Sequence, residues 1–227
     1  MTDGIKRYKN SQELRIAAKE SLDGKWLVAI AVCVVAWLLV EAFTSNNGAN
    51  ASFRYVMENG RFVRVGHDRS AFSSMMSLVS FIIGGPIYYG VASYFLKLAK
   101  RVPAEFSELF SGFSLFKTNF VLNFFILLFT ILWALLLIVP GIIAAIKYSM
   151  AYYIVAENPE IGALEAIRRS KDMMDGHKMR FFEMWLGFLG WFILGIITFG
   201  LGMIFAIPYF RAAKANFYLE LKEGYTA

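Results

Sequence analysis

Apolar residues fall along this chain in long runs, and charge returns mainly in the stretches between them. Trp26 to Phe43 makes about 27 Å of helix at a rise of 1.5 Å per residue, close to the ~30 Å hydrocarbon thickness of a bilayer. It predicts a first membrane span, with Lys25 and Trp26 at the interface. Phe72 to Leu98 predicts a second, in which Gly84, Gly85 and Pro86 call for a kink or a short helix break. From Asn119 to Ala156 only Lys147 is charged, and one straight helix over that run would reach about 57 Å. No bilayer is that thick, so the chain must turn. Pro140-Gly141 is the breaker in mid-run and predicts a tight hairpin turn between spans three and four. The same reasoning puts a turn at Phe199 to Gly202, after a fifth span that starts at Phe181. A sixth runs from Met203 to about Leu219 and contains Pro208, Arg211 and Lys214; a re-entrant segment fits the same residues.

The stretches between these runs have shorter periods. Asn10 and Glu13 form the Asn-x-x-Glu start of a helix whose Leu14, Ala17, Ala18 and Leu22 share a face. Phe106, Leu109, Phe110 and Phe113 predict a second surface helix within Pro103 to Lys117. Gly162 to Gly176 predicts a third, with Leu164, Ile167, Met173 and Met174 on its apolar side and pairs Glu165–Arg169, Arg168–Asp172 and Lys171–Asp175 four residues apart. Phe53 to Val65 instead alternates about Asn59-Gly60, the signature of a two-residue β-hairpin. That turn sets Glu58 opposite Arg61, Met57 opposite Phe62, Val56 opposite Val63 and Tyr55 opposite Arg64.

Composition agrees with a membrane protein: 58% of the 227 residues are apolar, 17% aromatic and only 18% charged. The net charge of +6 does not imply nucleic acid, because the basic residues sit in short clusters beside the apolar runs, as topology signals do. Eighteen of the 23 Lys and Arg residues fall on one side of the expected topology and four on the other, with Lys147 inside a span. Both termini are therefore expected in the cytoplasm. Ala49-Asn50-Ala51 has the spacing of a signal cleavage site, but the charged leader is long and the first span is expected to stay uncleaved. Cys33 is the single cysteine, so no internal disulfide forms.

The expected fold is all-α: a polytopic helical membrane protein with six transmembrane helices as three hairpins, cytoplasmic amphipathic helices and a small extracytoplasmic β-hairpin. It forms one integral membrane domain over residues 1–227, with a surface helix in 1–25, an outer loop at 44–70 and an amphipathic helix in 157–180. The three hairpins share a proline in or before the second arm, at Pro86, Pro140 and Pro208, a pattern compatible with internal repetition.

Lys147 stands out chemically. Six residues past the expected turn, it lies about 9 Å into the bilayer, where a cation faces a partner, a watery cavity or the interface. Glu41, at the outer end of span one, has a compatible depth for an intramembrane pair. Arg168, Arg169, Lys171, Lys178 and Arg180 form a second candidate group, for anionic lipid headgroups or an acidic partner, against the plainer role of a solvated face. The sequence has no H-E-x-x-H, Walker loop or G-x-S-x-G, and His67 and His177 are expected on opposite sides of the membrane. Catalysis, a metal site and a cofactor are not expected.

The block Leu135 to Lys178, with LLLIVPGII, KYSMAYYIVAENPEI and ALEAIRRSKDMMDGHK, resembles a bacterial integral-membrane family, domain of unknown function nine hundred seventy-five. The resemblance extends to LDGKW at Leu22 to Trp26, IIGGPIYYG at Ile82 to Gly90, FSELFSGF at Phe106 to Phe113 and IPYFRAAKANFY at Ile207 to Tyr218. The block is also similar to the membrane domain attached to some bacterial glycerophosphodiester phosphodiesterases. The resemblance implies a protein of the bacterial plasma membrane and supplies no catalytic residue. The expected function is a non-enzymatic accessory or interaction protein, whose partners are the lipid bilayer, anionic lipids, other membrane proteins or a second copy. The alternative is a small transporter or channel for an amphiphile, lipid or ion, with Lys147 in a polar path.

Overall fold

The computed structural model describes residues 8–41, 54–58, 61–65, 71–198 and 200–225. Apart from one two-stranded hairpin, the described residues are mainly helical. Helix α1 (Ser11–Leu22) starts on a capping box: the Asn10 side chain accepts from the Glu13 amide at 2.8 Å and the Asn10 amide donates to the Glu13 carboxylate at 2.7 Å. Those two bonds satisfy amides that a helix start leaves free. The chain then bends by 99° into α2 (Trp26–Glu41), which buries Ala29, Val32, Cys33 and Ala36 at helical spacing and leaves Leu27, Trp37 and Leu38 outside. Strand β1 (Arg54–Glu58) pairs antiparallel with β2 (Arg61–Val65), with Glu58 opposite Arg61 and Tyr55 opposite Arg64.

Helix α3 (Ala71–Ala99) is the centre of the bundle, with 67% of its apolar span buried against 11% for α4 (Phe116–Leu136). Of the kink or short break expected at Gly84, Gly85 and Pro86, the break is absent: α3 runs through them as one helix. Neighbouring elements close on that region instead. A methyl at Gly85 would overlap the Asn119 carbonyl, and one at Gly90 the Leu109 carbonyl. The Asn123 amide donates to the Phe81 carbonyl at 3.3 Å, beside the turn that Pro86 weakens. Between α3 and α4 the expected amphipathic helix is a 3-10 helix, Phe106–Phe113. Its three-residue repeat buries Leu109 and Gly112 and turns Phe106, Phe110 and Phe113 outward.

The reversal after α4 also differs from expectation. It occurs at Leu137, which is extended at φ −163°, and Pro140 and Gly141 lie inside the first turn of α5 (Ile138–Tyr148). Proline is tolerated there because first-turn amides have no helical acceptor. Gly141 lets α5 press against Ala134. Helix α6 (Ala151–Glu157) continues α5 closely enough that Val139–Glu157 forms one apolar stretch.

Helix α7 (Ala163–Met173) packs inward through Ala163, Ala166, Ile167, Ser170 and Met173, while Leu164, expected on its apolar side, is exposed. Small side chains set that contact because they let two backbones approach. Helices α8 (Lys178–Ile197) and α9 (Leu201–Tyr225) run antiparallel: Gly195 meets Gly202, Phe188 meets Tyr209 and Phe210, and Phe181 meets Phe217. Gly200, at φ +92°, occupies the turn, where L-residues are strained. Phe199 lies outside the described residues.

Among the described residues, four helical stretches are long and apolar enough to cross a membrane: Ser77–Ala99, Phe116–Leu136, Val139–Glu157 and Lys178–Ile197. The bent pair α1 and α2 makes a fifth if counted together. By this measure α2 alone is short, at 16 residues, and α9 carries Arg211 and Lys214 near its middle.

Among the described residues, the ion pairs that join different elements gather at one end of the bundle. There Lys97 meets Glu108, Arg101 meets Glu20, Arg180 meets Glu220, and both Lys100 and Lys222 meet Glu157. The reversals at Leu137 and Thr198 to Gly200 lie at the other end.

Candidate functional site

A cavity of about 510 Å³ opens between α3, α4, α6, α8 and α9. Tyr88 and Ala92 come from α3, Asn123 and Ile126 from α4, and Ser149 from the junction of α5 and α6. Tyr152 and Tyr153 follow on α6, Phe192 on α8, and Ile207, Phe210, Arg211 and Lys214 on α9. Apolar and polar groups separate within this lining. Ile126, Phe192, Ile207 and Phe210 form an apolar wall, in which the Phe192 and Phe210 rings lie 6.3 Å apart. Arg211, Lys214, Ser149, Asn123 and the tyrosines form the polar part.

Helical geometry sets the depth. Arg211 lies ten residues and Lys214 thirteen residues along α9 from Leu201, about 15 and 20 Å from the reversal. Both cations thus lie near the middle of α9, well inside the bundle. No carboxylate lines the cavity, and among the described residues neither Arg211 nor Lys214 forms an ion pair. Lys214 instead points its ammonium over the Tyr153 ring at 5.7 Å and the Phe181 ring at 6.0 Å, contacts that offset part of the cost of burying a cation.

Several lining groups are already committed. The Tyr152 hydroxyl donates to Asn123 at 2.9 Å, and the Asn123 amide is used on Phe81. The Ser149 hydroxyl is different: it is buried and has no hydrogen-bond partner. Buried polar atoms are nearly always satisfied, so an orphan facing a cavity marks a place for a ligand or water.

The residues singled out in the sequence lie elsewhere. With the reversal at Leu137, Lys147 is ten residues along α5 rather than six past a turn, about 15 Å deep. It is half-buried and outside the cavity lining. Its carbonyl accepts from Ser170. Asp175 has its carboxyl held below the usual carboxylate range, first by the Lys178 ammonium that bonds it and more weakly by the charge of Lys147. The side chain of Glu41 lies outside the described residues.

The basic group of α7 and α8 is largely engaged internally. Glu165 takes Arg168 at 2.8 Å and Arg169 at 3.0 Å, and the two guanidinium groups hold its carboxyl below the usual range. Asp175 takes Lys178 at 2.6 Å rather than Lys171. Arg180 donates to the Lys9 carbonyl at 2.9 Å and to buried Glu220 at 3.1 Å. Lys171 remains exposed.

Arg211 and Lys214 were legible as two cations three residues apart in a helix after Pro208. Counting them as topology charges hid them; an ionisable residue within an expected span is itself a candidate for function.

A family model described as protein of unknown function (DUF975) matches residues 1–146 and 135–224. No curated protein and no solved structure matches the chain.

Proposed function

The chain belongs to that family of unknown function, and from its cavity we propose a non-enzymatic membrane protein that works by holding a ligand between its helices. On this reading the chain crosses the bilayer six times, α2 and α9 included, with the ion-paired end and both termini in the cytoplasm of a bacterial cell. The basic residues on that end support the orientation. Exposed Leu127, Leu128, Ile131 and Leu132 on α4 and Ile193, Ile196 and Ile197 on α8 suit contact with acyl chains.

One observation carries the reading: a cavity of about 510 Å³ whose lining holds two cations and no carboxylate. That volume lies in the usual range for small-molecule sites, which are mainly apolar with a few convergent polar groups. Arg211 and Lys214 are half-buried, and cations drawn partly out of water without counter-ions are costly; a ligand of opposite charge offsets that cost. Purified in an uncharged detergent, the protein is expected to carry about one ligand per cavity in native mass spectrometry. Ala92→Phe, which fills the cavity, is expected to carry less. A protein that arrives empty, and gains no thermal stability from any class of amphiphile offered, would overturn the reading.

Transport is the second reading, favoured by the position of the cavity at the α5–α6 junction, since transporters bind at discontinuous helices. Reconstituted vesicles should then show protein-dependent flux of the bound ligand that Ala92→Phe abolishes, whereas a binding protein shows none.

A further inference from the structure

Resting on the reading of the cavity as a ligand site, we infer that its ligand is the phosphate end of an amphiphile, seated between Arg211 and Lys214 with the chain along the apolar wall. Charge points to an anion. Arg211 and Lys214 project from one helix three residues apart, so they lie on neighbouring sides of α9, and both line the same space. Like charges this close repel more strongly as the surroundings become less polar. Water relieves that only in part, while an anion between them removes it. A phosphate monoester carries up to two negative charges near neutral pH and would match both cations, whereas a carboxylate would leave one unmatched.

The donor set fits the same group. A guanidinium presents a planar fork that grips two oxygens of a phosphate, and an ammonium adds a point charge from the side. The Ser149 hydroxyl, buried without a partner in the same lining, supplies a donor for a third oxygen. Tyr152 and Asn123 are bonded to each other and hold the wall in position. Ile126, Phe192, Ile207 and Phe210 offer nothing to an oxyanion and suit a hydrocarbon chain. The cavity is thus polar at one part and apolar at another, as an amphiphile requires.

The depth is consistent with a lipid-derived source. The cations sit about 15 to 20 Å from the Thr198–Gly200 reversal, and basic pockets between transmembrane helices near the cytoplasmic side bind phosphate headgroups elsewhere. A free phosphate from the aqueous phase shares the headgroup chemistry and would use the same three residues without the apolar wall.

The test compares four probes on the full chain in dodecyl maltoside: hexadecyl phosphate, inorganic phosphate, hexadecylphosphocholine and monoolein. Binding is read by thermal shift and by native mass spectrometry. Hexadecyl phosphate is expected to bind at least about tenfold more tightly than monoolein, and Arg211→Gln or Lys214→Met to lower its affinity by about tenfold or more. Lys214→Arg should keep most of it. Without ligand, Lys214→Met should unfold at an equal or higher temperature than the wild type, because it removes a half-buried charge that has no counter-ion; a merely structural lysine would give the reverse, which would overturn the inference. Inorganic phosphate binding as tightly as hexadecyl phosphate would overturn the amphiphile and leave a free anion as the source. Monoolein binding as tightly as hexadecyl phosphate, with the variants unchanged, would overturn the phosphate site and leave the cavity as a ligand site. If no probe binds, both readings fall.

Discussion

The Ser170 hydroxyl on α7 donates to the Lys147 carbonyl on α5 at 2.7 Å. The same oxygen accepts from the Met150 amide at 3.2 Å. The α5–α6 junction passes through Ser149 and Met150, where the regular helical ladder is interrupted. One side chain from a charged helix thereby satisfies both a carbonyl and an amide that the junction leaves unmatched. It also fixes the backbone beside Ser149, which lines the cavity.

Ser170→Ala should leave the buried Met150 amide unpaired and destabilise the fold by about 1–3 kcal/mol. The measurement is the unfolding midpoint in detergent. A change no larger than that of a substitution at exposed Leu164 would show that the junction does not depend on this bond.

Glu157 joins three elements at the ion-paired end. It accepts from Tyr218 at 2.7 Å and pairs with Lys222 at 2.8 Å and with Lys100. The carboxylate is nearly buried, while both lysines are partly exposed, so solvent weakens each pair. Glu157→Gln keeps the shape and removes the charge, and should cost about 2 kcal/mol. Lys222→Met alone should cost less, because two partners remain on the carboxylate. Chemical denaturation in mixed micelles separates the two.

Close approach sets the glycine requirement of α3. A methyl at Gly90 would overlap the Leu109 carbonyl, with no flexible side chain to yield. Gly90→Ala should push the 3-10 helix away from α3 and destabilise the protein by about 1–3 kcal/mol or more. Gly190 has nothing within 4 Å of the same atom, so Gly190→Ala is expected to be neutral or slightly stabilising. Equal effects of the two substitutions on thermal unfolding would contradict this packing.

His177 gives a pH dependence. Burial, and then the neighbouring Arg180 guanidinium, hold its pKa below the ordinary value of 6.5. Arg180 lies 3.3 Å from its Nδ1, and the Tyr8 ring sits edge-on at 4.7 Å. The unfolded chain therefore binds the proton more readily than the folded one. The contribution is present above about pH 6.5 and is lost as pH falls through the lower folded value. Unfolding midpoints from pH 8 to 5 should fall less steeply in His177→Gln than in the wild type; parallel profiles would exclude His177 as the source.

Lys147→Met should leave ligand binding within about twofold of the wild type, because the residue lies outside the cavity. A loss as large as that of Lys214→Met, read by the same thermal shift, would bring Lys147 back into the site.

Much of the fold was legible where a local rule decides it. Asn10 and Glu13 announce a capping box because both partners lie within four residues of each other. Of the six spans expected from the apolar runs, four are helices long and apolar enough to cross a membrane, because length and hydropathy are properties of the segment alone. Pro140 shows where this reasoning fails. A proline in an apolar run marks a lost helical hydrogen bond, which a hairpin turn, a first helical turn and the interior of a long helix such as α3 or α9 all accommodate, and it is the extended backbone of Leu137, with Gly141 packed on Ala134, that sets the reversal three residues earlier. Likewise Gly84, Gly85 and Pro86 allow a kink or a break by sequence, and the neighbouring 3-10 helix and α4 pack against one continuous α3.

The sequence by itself determined that the chain is helical, apolar and capped at identifiable residues, because each of these depends on neighbours a few positions apart. It also displayed Arg211 and Lys214 within an apolar helix. Only the tertiary structure decided what those cations face, since Ser149 and Tyr153 are some 60 residues away in sequence and meet α9 through packing. Burial, charge compensation and an unsatisfied hydroxyl belong to an assembled cavity and have no counterpart in any single segment. Lys147, prominent in an uncharged run, was placed outside that cavity by the same packing.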